Sequence, residues 1–222
     1  MNERHSMKLR SRDLIPALAH ISGKSLDEVT LKSRRLREAE LFARETKGFN
    51  SPTPSVADIA RLIFVMASDR PAILAKETVS IAECMIVGSK LQDYLKEYEG
   101  STRKIPEKYS LFKGHHNFLS ALQLIVEIAI EEPAEFSPNG FLRNTFVSFN
   151  RQSFDGHIQF FEKDPLPILK KDPLPDLCIS ADYNCIYGNI SFSAPKDWKD
   201  TVEIGSGFFC ELGKLFHRGN HV

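Results

Sequence analysis

The sequence predicts an α+β fold: helices through about residue 135, then a mostly antiparallel sheet closed by a final helix. Three observations carry this expectation. Apolar residues recur at helical spacing early in the chain, as in Leu14, Leu18 and Ile21, or Ile59, Leu62, Ile63 and Met66. From Phe136 the grammar changes to alternation rich in aromatic and β-branched residues, as in FLRNTFVSF (141–149) and GHIQFFE (156–162). Gly207 to His217 then returns to helical spacing with Phe208, Leu212, Leu215 and Phe216.

Taken in order, residues 1–10 are charged and read as a frayed start. A first helix spans Ser11 to Ile21, and Gly23 supplies the backbone freedom of a tight turn. Ser25 and Glu28 have the spacing of a capping box for a second helix, 25–42, whose Val29 and Leu36 point inward with Ser33 between them. Leu31, Arg34, Arg35 and Glu38 project from its far side. Gly48, Asn50 and Pro52 mark a loop or short wing-like hairpin. Thr53 is placed to cap a third helix with Pro54 at its first position.

Asp69-Arg70-Pro71 ends that helix, and a longer helical pattern runs from Pro71 to about Tyr98. Polar residues 99–110 read as a linker before a helix at roughly 115–131, which Pro133 ends. The strand pairs at 141–149 and 156–162 turn near Asp155-Gly156, and two more strands are expected at 177–181 and 185–193. Between the pairs, Lys163-Asp-Pro-Leu-Pro167 recurs as Lys171-Asp-Pro-Leu-Pro175; such proline density suits a stiff extended connection over the surface. A strand at 200–204 precedes the terminal helix. The expected divisions are a winged-helix-like DNA-binding module at 1–68, a central helical segment suited to oligomerisation at 69–135, and a β-rich region at 136–222.

Hydrophobic content of 42% and charged content of 26% are those of an ordinary globular protein, and 222 residues can bury a real core. Net charge is zero, so no whole-chain field draws it to a polyanion, and binding of that kind needs a local patch. Residues 1–61 supply one, with 12 Lys+Arg against 8 Asp+Glu. Cys84, Cys178, Cys185 and Cys210 lack zinc-knuckle spacing and read as buried free thiols. No run approaches the roughly 20 apolar residues that span a bilayer, so the expected location is cytoplasmic, with no membrane partner.

The second helix carries the main functional signal. Lys32, Arg34, Arg35 and Arg37 fall within six positions, on a helix that follows a short helix and a glycine turn. That order is what a helix-turn-helix or winged-helix reader of the major groove needs, because arginine neutralises phosphate and pairs with guanine edges. Arg44 and Lys47 in the following loop are placed to touch backbone phosphates. The competing reading of the same charges is a solvated face paired with Glu38, Glu40 and Glu45.

Arg34-Arg35-Leu36-Arg37-Glu38-Ala39, Leu41-Phe42, then Thr53-Pro54 and Asp58-Ile59-Ala60-Arg61-Leu62 resemble a pattern shared by small bacterial and prophage-encoded winged-helix-like proteins. The resemblance covers about residues 11–67 and departs at Glu40, where a turn glycine is usual. It implies a phage- or mobile-element-associated DNA-binding protein and carries no catalytic residue.

Other chemistry is thinly signalled. His115-His116 lack the i, i+4 relation of a metal pair, and His157, His217 and His221 stand apart from any zinc motif. No nucleophile elbow or phosphate loop occurs, and Gly205-Ser206-Gly207 reads as a strand-to-helix turn. Asp155, Glu162, Asp164, Asp172, Asp176 and Asp182 surround the strands, where only the fold can decide whether any pair is assembled. Most phenylalanines in the C-terminal half are expected to fill a sheet core. The resulting expectation is a non-enzymatic, cofactor-free and metal-free binder of double-stranded DNA, simplest as a transcriptional regulator and a homo-oligomer, with a dimer favoured. The alternatives are a small-terminase-like packaging subunit and a protein-interaction module.

Overall fold

The computed structural model describes residues 9–44, 53–87, 107–140, 142–151, 154–161, 177–185 and 201–217. It is a two-layer α+β arrangement. The helices are α1 (Ser11–Ser22), α2 (Leu26–Glu38), α3 (Val56–Ala67), α4 (Ala75–Cys84), α5 (Phe118–Glu131) and α6 (Ser206–His217). The strands are β1 (Met85–Val87), β2 (Asn144–Asn150), β3 (Gly156–Phe161), β4 (Leu177–Cys185) and β5 (Thr201–Gly205). They form one sheet in the order β1-β4-β3-β2-β5, with every neighbouring pair antiparallel.

The helical layer is organised around α3 and α5, which are buried on nearly all sides. Ile59, Ala60, Leu62, Ile63, Phe64, Val65 and Met66 line α3, and α5 buries nine of its residues from Phe118 to Ile130. Each keeps only a narrow polar edge, with Asp58 and Arg61 on α3 and Glu127 and Glu131 on α5, so most of its circumference belongs in the core. α1 buries the expected Leu14 and Leu18, with Ile21 packed against the core margin. The inner face of the sheet supplies Val147, Phe149, Ile158, Ala181 and Tyr183, all essentially inaccessible. Phe118 of α5 sits at the junction of the layers, with ring centroids 5.6 Å from Phe64, 6.2 Å from Phe149 and 5.2 Å from Tyr183.

Several expected boundaries move. The third helix begins at Val56 and is capped by Ser55, whose hydroxyl and Asp58 form a reciprocal capping box; Thr53 and Pro54 lie before it. The pattern from Pro71 does not run on as one helix. Residues 72–74 form a 3₁₀ turn, α4 ends at Cys84, and the chain enters the sheet as edge strand β1. Its apolar residues Met85 and Val87 are buried and Ile86 is exposed, a strand alternation short enough to pass for helical spacing. Residues 107–113 are 3₁₀ and take in the end of the expected linker at 99–110, and Asn117 caps α5. Cys185 belongs to a single nine-residue β4. The wing-like loop at 45–52, Lys47, the segment 88–106, both Lys-Asp-Pro-Leu-Pro copies and residues 186–193 lie outside the described residues. Cys84 and Cys210 are free and half-buried.

The sequence places the β2–β3 turn near Asp155-Gly156. The left-handed residue there is Phe154, at φ 54°, and Gly156 has a different reason to lack a side chain. A Cβ on it would stand 2.6 Å from Met85 Cε and 2.7 Å from the Phe118 ring. Gly213 plays the same part between α5 and α6, where a Cβ would stand 2.1 Å from the Ala129 carbonyl oxygen. The far end of α6 is fixed by His217, whose Nε2–H donates to the Ile130 carbonyl at 2.7 Å.

His116 ties the segment before α5 to the sheet. Its Nδ1–H donates to the Gly114 carbonyl at 2.8 Å, so its Nε2 accepts from the Tyr183 hydroxyl at 2.7 Å. Burial holds the ring's pKa below the usual 6.5, which keeps it neutral near pH 7 and leaves Nε2 as the acceptor.

Two outcomes follow. Gly213→Ala places a methyl against a backbone that cannot yield and destabilises the fold by about 1–3 kcal/mol in urea denaturation. Gly207→Ala, which opens onto empty space, leaves stability unchanged or raises it by up to about 1 kcal/mol. For His116 the linkage has a definite sign. The folded pKa is depressed, so its contribution is complete above about 6.5 and is lost as pH falls below that value, where the unfolded chain takes up a proton that the native ring refuses. Denaturation midpoints between pH 7.5 and 5 should fall, and His116→Gln should flatten that part of the slope.

Candidate nucleic-acid interface

The segment singled out by its charge is α2, and its entry keeps the Ser25 half of the expected capping box, while the Glu28 side chain turns to lysines instead of the Ser25 backbone. Gly23 closes α1 in the left-handed region at φ 67°, and the Ser25 hydroxyl accepts from the Glu28 backbone N–H at 3.2 Å. The Glu28 carboxylate takes the Lys32 ammonium at 2.8 Å and the Lys24 ammonium at 3.6 Å. Burial raises the Glu28 pKa, and the Lys32 hydrogen bond and charge outweigh it, so the group stays below its ordinary value.

The exit of α2 is sharp. Glu40 N–H donates to Arg37 O at 3.0 Å and Leu41 N–H to Leu36 O at 2.9 Å, the paired bonds of a Schellman ending. Glu40 itself takes φ 62°, the conformation a turn glycine would adopt. Where the sequence departs from the prophage pattern, the backbone follows the path that glycine favours.

The basic residues do not share one face. Lys32 was expected among the outward cations, but it is 3% exposed; its Nζ points inward to Glu28 and to the Met66 carbonyl at 3.4 Å. The reason is its position, three residues after Val29 and four before Leu36, on the buried side. Arg37 is half-buried with its guanidinium over the Phe42 ring, 5.3 Å from the centroid. Arg44 is exposed and ion-paired with Glu40. Arg34 and Arg35 do face outward, and both engage Glu38: Arg34 Nε at 3.0 Å and Arg35 Nη1 at 2.7 Å. Those two hydrogen bonds keep the Glu38 carboxyl below its usual pKa.

The exposed stripe of α2 is therefore Asp27, Thr30, Leu31, Arg34 and Glu38, with Arg35 at its margin. Leu26 and Leu31 are 50% and 47% exposed, and Ile73, in the 3₁₀ turn that packs on α2, is 69% exposed. Cations that no sequence spacing groups lie at the N-terminal end of the same helix. Lys24 Nζ is 2.8 Å and Arg151 Nη1 3.6 Å from the two oxygens of Asp69, and Arg70 lies over Phe154 and pairs with Glu77. They come from the α1–α2 turn, the α3–α4 turn and the β2–β3 hairpin, so no local pattern could have joined them.

Among the described residues no group of three or more His, Cys, Asp and Glu is disposed to hold a metal, and no helix is long and apolar enough to cross a membrane. No family model, curated protein or solved structure matches the chain.

The buried Lys32 gives this region an asymmetric response to substitution. Glu28→Ala strands an inward-facing ammonium and should cost about 1–3 kcal/mol by chemical denaturation, less than a fully buried pair because Glu28 is partly hydrated. Lys32→Met keeps the volume, removes the charge and should cost under about 1 kcal/mol.

Proposed function

We propose that this chain binds double-stranded DNA through α2, as a transcriptional regulator of phage or mobile-element type acting as a homo-oligomer. One observation carries the reading: a helix, a left-handed glycine and a capped second helix that ends in a Schellman turn, with Thr30, Arg34 and Arg35 on or beside its outward stripe. A helix-turn-helix presents its second helix to the major groove in this order. The ion pairs to Glu38 do not preclude the role, because exposed pairs of this kind are screened by solvent, add little to stability and can be exchanged for phosphate or guanine contacts. A single module offers little area, which is why an oligomer belongs to the proposal.

A second reading rests on Leu26, Leu31 and Ile73, three exposed aliphatic side chains on or against the same helix. They suit a protein partner docking on α2, and Leu31 also suits a thymine methyl.

Fluorescence anisotropy with a randomised duplex at about 50 mM salt tests the proposal. Binding should weaken steeply as salt rises. Arg34→Ala and Arg35→Ala should each weaken it by about 1–3 kcal/mol, and Glu38→Gln, which frees both guanidiniums, should strengthen it. No binding by the intact chain at low salt removes the reading and leaves the docking face.

A further inference from the structure

The outer face of the sheet is not covered by any element among the described residues, and its register assembles a row that no sequence spacing announces. Ser148 of β2 stands directly opposite His157 of β3, and His157 directly opposite Asp182 of β4. All three belong to the outward set of their strands, since the residues flanking them, Val147, Phe149, Gly156, Ile158, Ala181 and Tyr183, are buried. The contact between the last two is direct: His157 Nδ1 lies 2.5 Å from Asp182 Oδ1, with the side chains 30% and 48% exposed.

That polarity matters. A carboxylate on Nδ1 fixes the imidazole as the tautomer that carries its proton there and leaves the Nε2 lone pair available to a hydroxyl. Directly opposed residues have Cβ atoms roughly 4.5–5.5 Å apart, and the bond between a nucleophile and its base is commonly long before substrate binds. The Ser148 hydroxyl has no hydrogen bond among the described residues and stands between His157 of β3 and Glu203 of β5, its two directly opposed neighbours. Gln159 lies two residues beyond His157 on the same face, opposite Phe146 and so diagonal to Ser148, which puts a side-chain amide near the reacting position. Among the described residues, Phe146 and Ile86, 36% and 40% exposed, are the large apolar side chains exposed on this face.

We propose that Ser148, His157 and Asp182 form a nucleophile, base and orienting carboxylate that accept the acyl group of small activated carboxylic esters. Nε2 of His157 takes the Ser148 hydroxyl proton as Oγ bonds to the carbonyl carbon, and the carbonyl π pair moves to oxygen, facing the Gln159 amide. Collapse of the tetrahedral species breaks the carbon–oxygen bond to the alcohol, which leaves with the proton from Nε2. Water then repeats the sequence on the acyl-serine, releases the carboxylic acid and restores the hydroxyl. Asp182 acts through the ring, as a positioning residue. The site is on the sheet and independent of α2, so loss of the DNA reading leaves it standing.

The test uses the intact chain with a fluorophosphonate probe and with p-nitrophenyl acetate. One equivalent of probe should attach to Ser148 by peptide mass spectrometry, and Ser148→Ala should abolish it. His157→Gln should slow labelling about a hundredfold or more. Asp182→Asn should lower the rate by about tenfold or more and move the pH profile of acylation, which a merely structural role would not do. All three side chains are partly exposed, and unchanged melting of the variants verifies the fold. Absence of labelling, labelling no faster than on denatured protein, or labelling that survives Ser148→Ala overturns the proposal.

Discussion

The fold depends on how closely the two layers approach at Phe118. That ring reaches α3 through Phe64, β2 through Phe149 and β4 through Tyr183, each within about the range where edge-to-face aromatic contacts add to simple burial. The approach is possible because Gly156 has no side chain on the sheet beneath Phe118 and Met85. Tyr183 carries the constraint one step further: its hydroxyl is bonded to His116, and His116 in turn holds the backbone of Gly114. A single small residue in one hairpin thus sets the spacing of a helix pair, an inner sheet face and the chain leading into α5.

Much of this was readable beforehand, for reasons that differ by element. α3 and α5 are readable because apolar residues recur at helical spacing, Ile59, Leu62, Ile63 and Met66 in one and Phe118, Leu122, Ile125, Val126 and Ala129 in the other. β2, β3 and β5 follow from alternation, and α6 from aromatic residues at helical spacing. The extension of the α4 pattern failed because Ile81, Met85 and the residues after them keep a helical interval by coincidence while Met85–Val87 alternates as a strand. Three residues are too few for period to decide between the two. Lys32 is a different kind of miss. Its distance from Val29 and Leu36 placed it on the core side from the outset, but a run of cations invites counting before the wheel is drawn. Glu40 shows the reverse case, a left-handed exit achieved without the glycine that would signal it.

The electrostatics of the helical side are local exchanges with no broad field behind them. α2 holds Lys32, Arg34, Arg35 and Arg37 against Asp27, Glu28 and Glu38, and the turn around Asp69 sets Lys24 and Arg151 against one carboxylate. Asp69 is kept below its ordinary pKa chiefly by the Lys24 hydrogen bond, so it remains a charged clasp between the α1–α2 turn, the α3–α4 turn and the hairpin. With so little net charge, long-range steering toward a polyanion would be weak. Affinity on this side would have to come from contacts that replace existing pairs, and from more than one copy of the chain.

The sheet side obeys a different rule, and there the site residues and the core are specified together. Because side chains alternate at a period of two, the register that buries Val147, Ile158 and Tyr183 necessarily turns Ser148, His157 and Asp182 to the other face. A one-residue slip of β3 would take His157 from its row and drive Ile158 into solvent at the same time. The alignment of serine, imidazole and carboxylate is therefore held by the apolar layer beneath it, with the tight contact at Gly156 pinning the strand in place. The pairing of residues 157 and 182 was invisible in the sequence for the same reason that it is firm in the fold. It depends on which strands are neighbours and on their offset, and both are decided by hydrophobic contacts far from either residue.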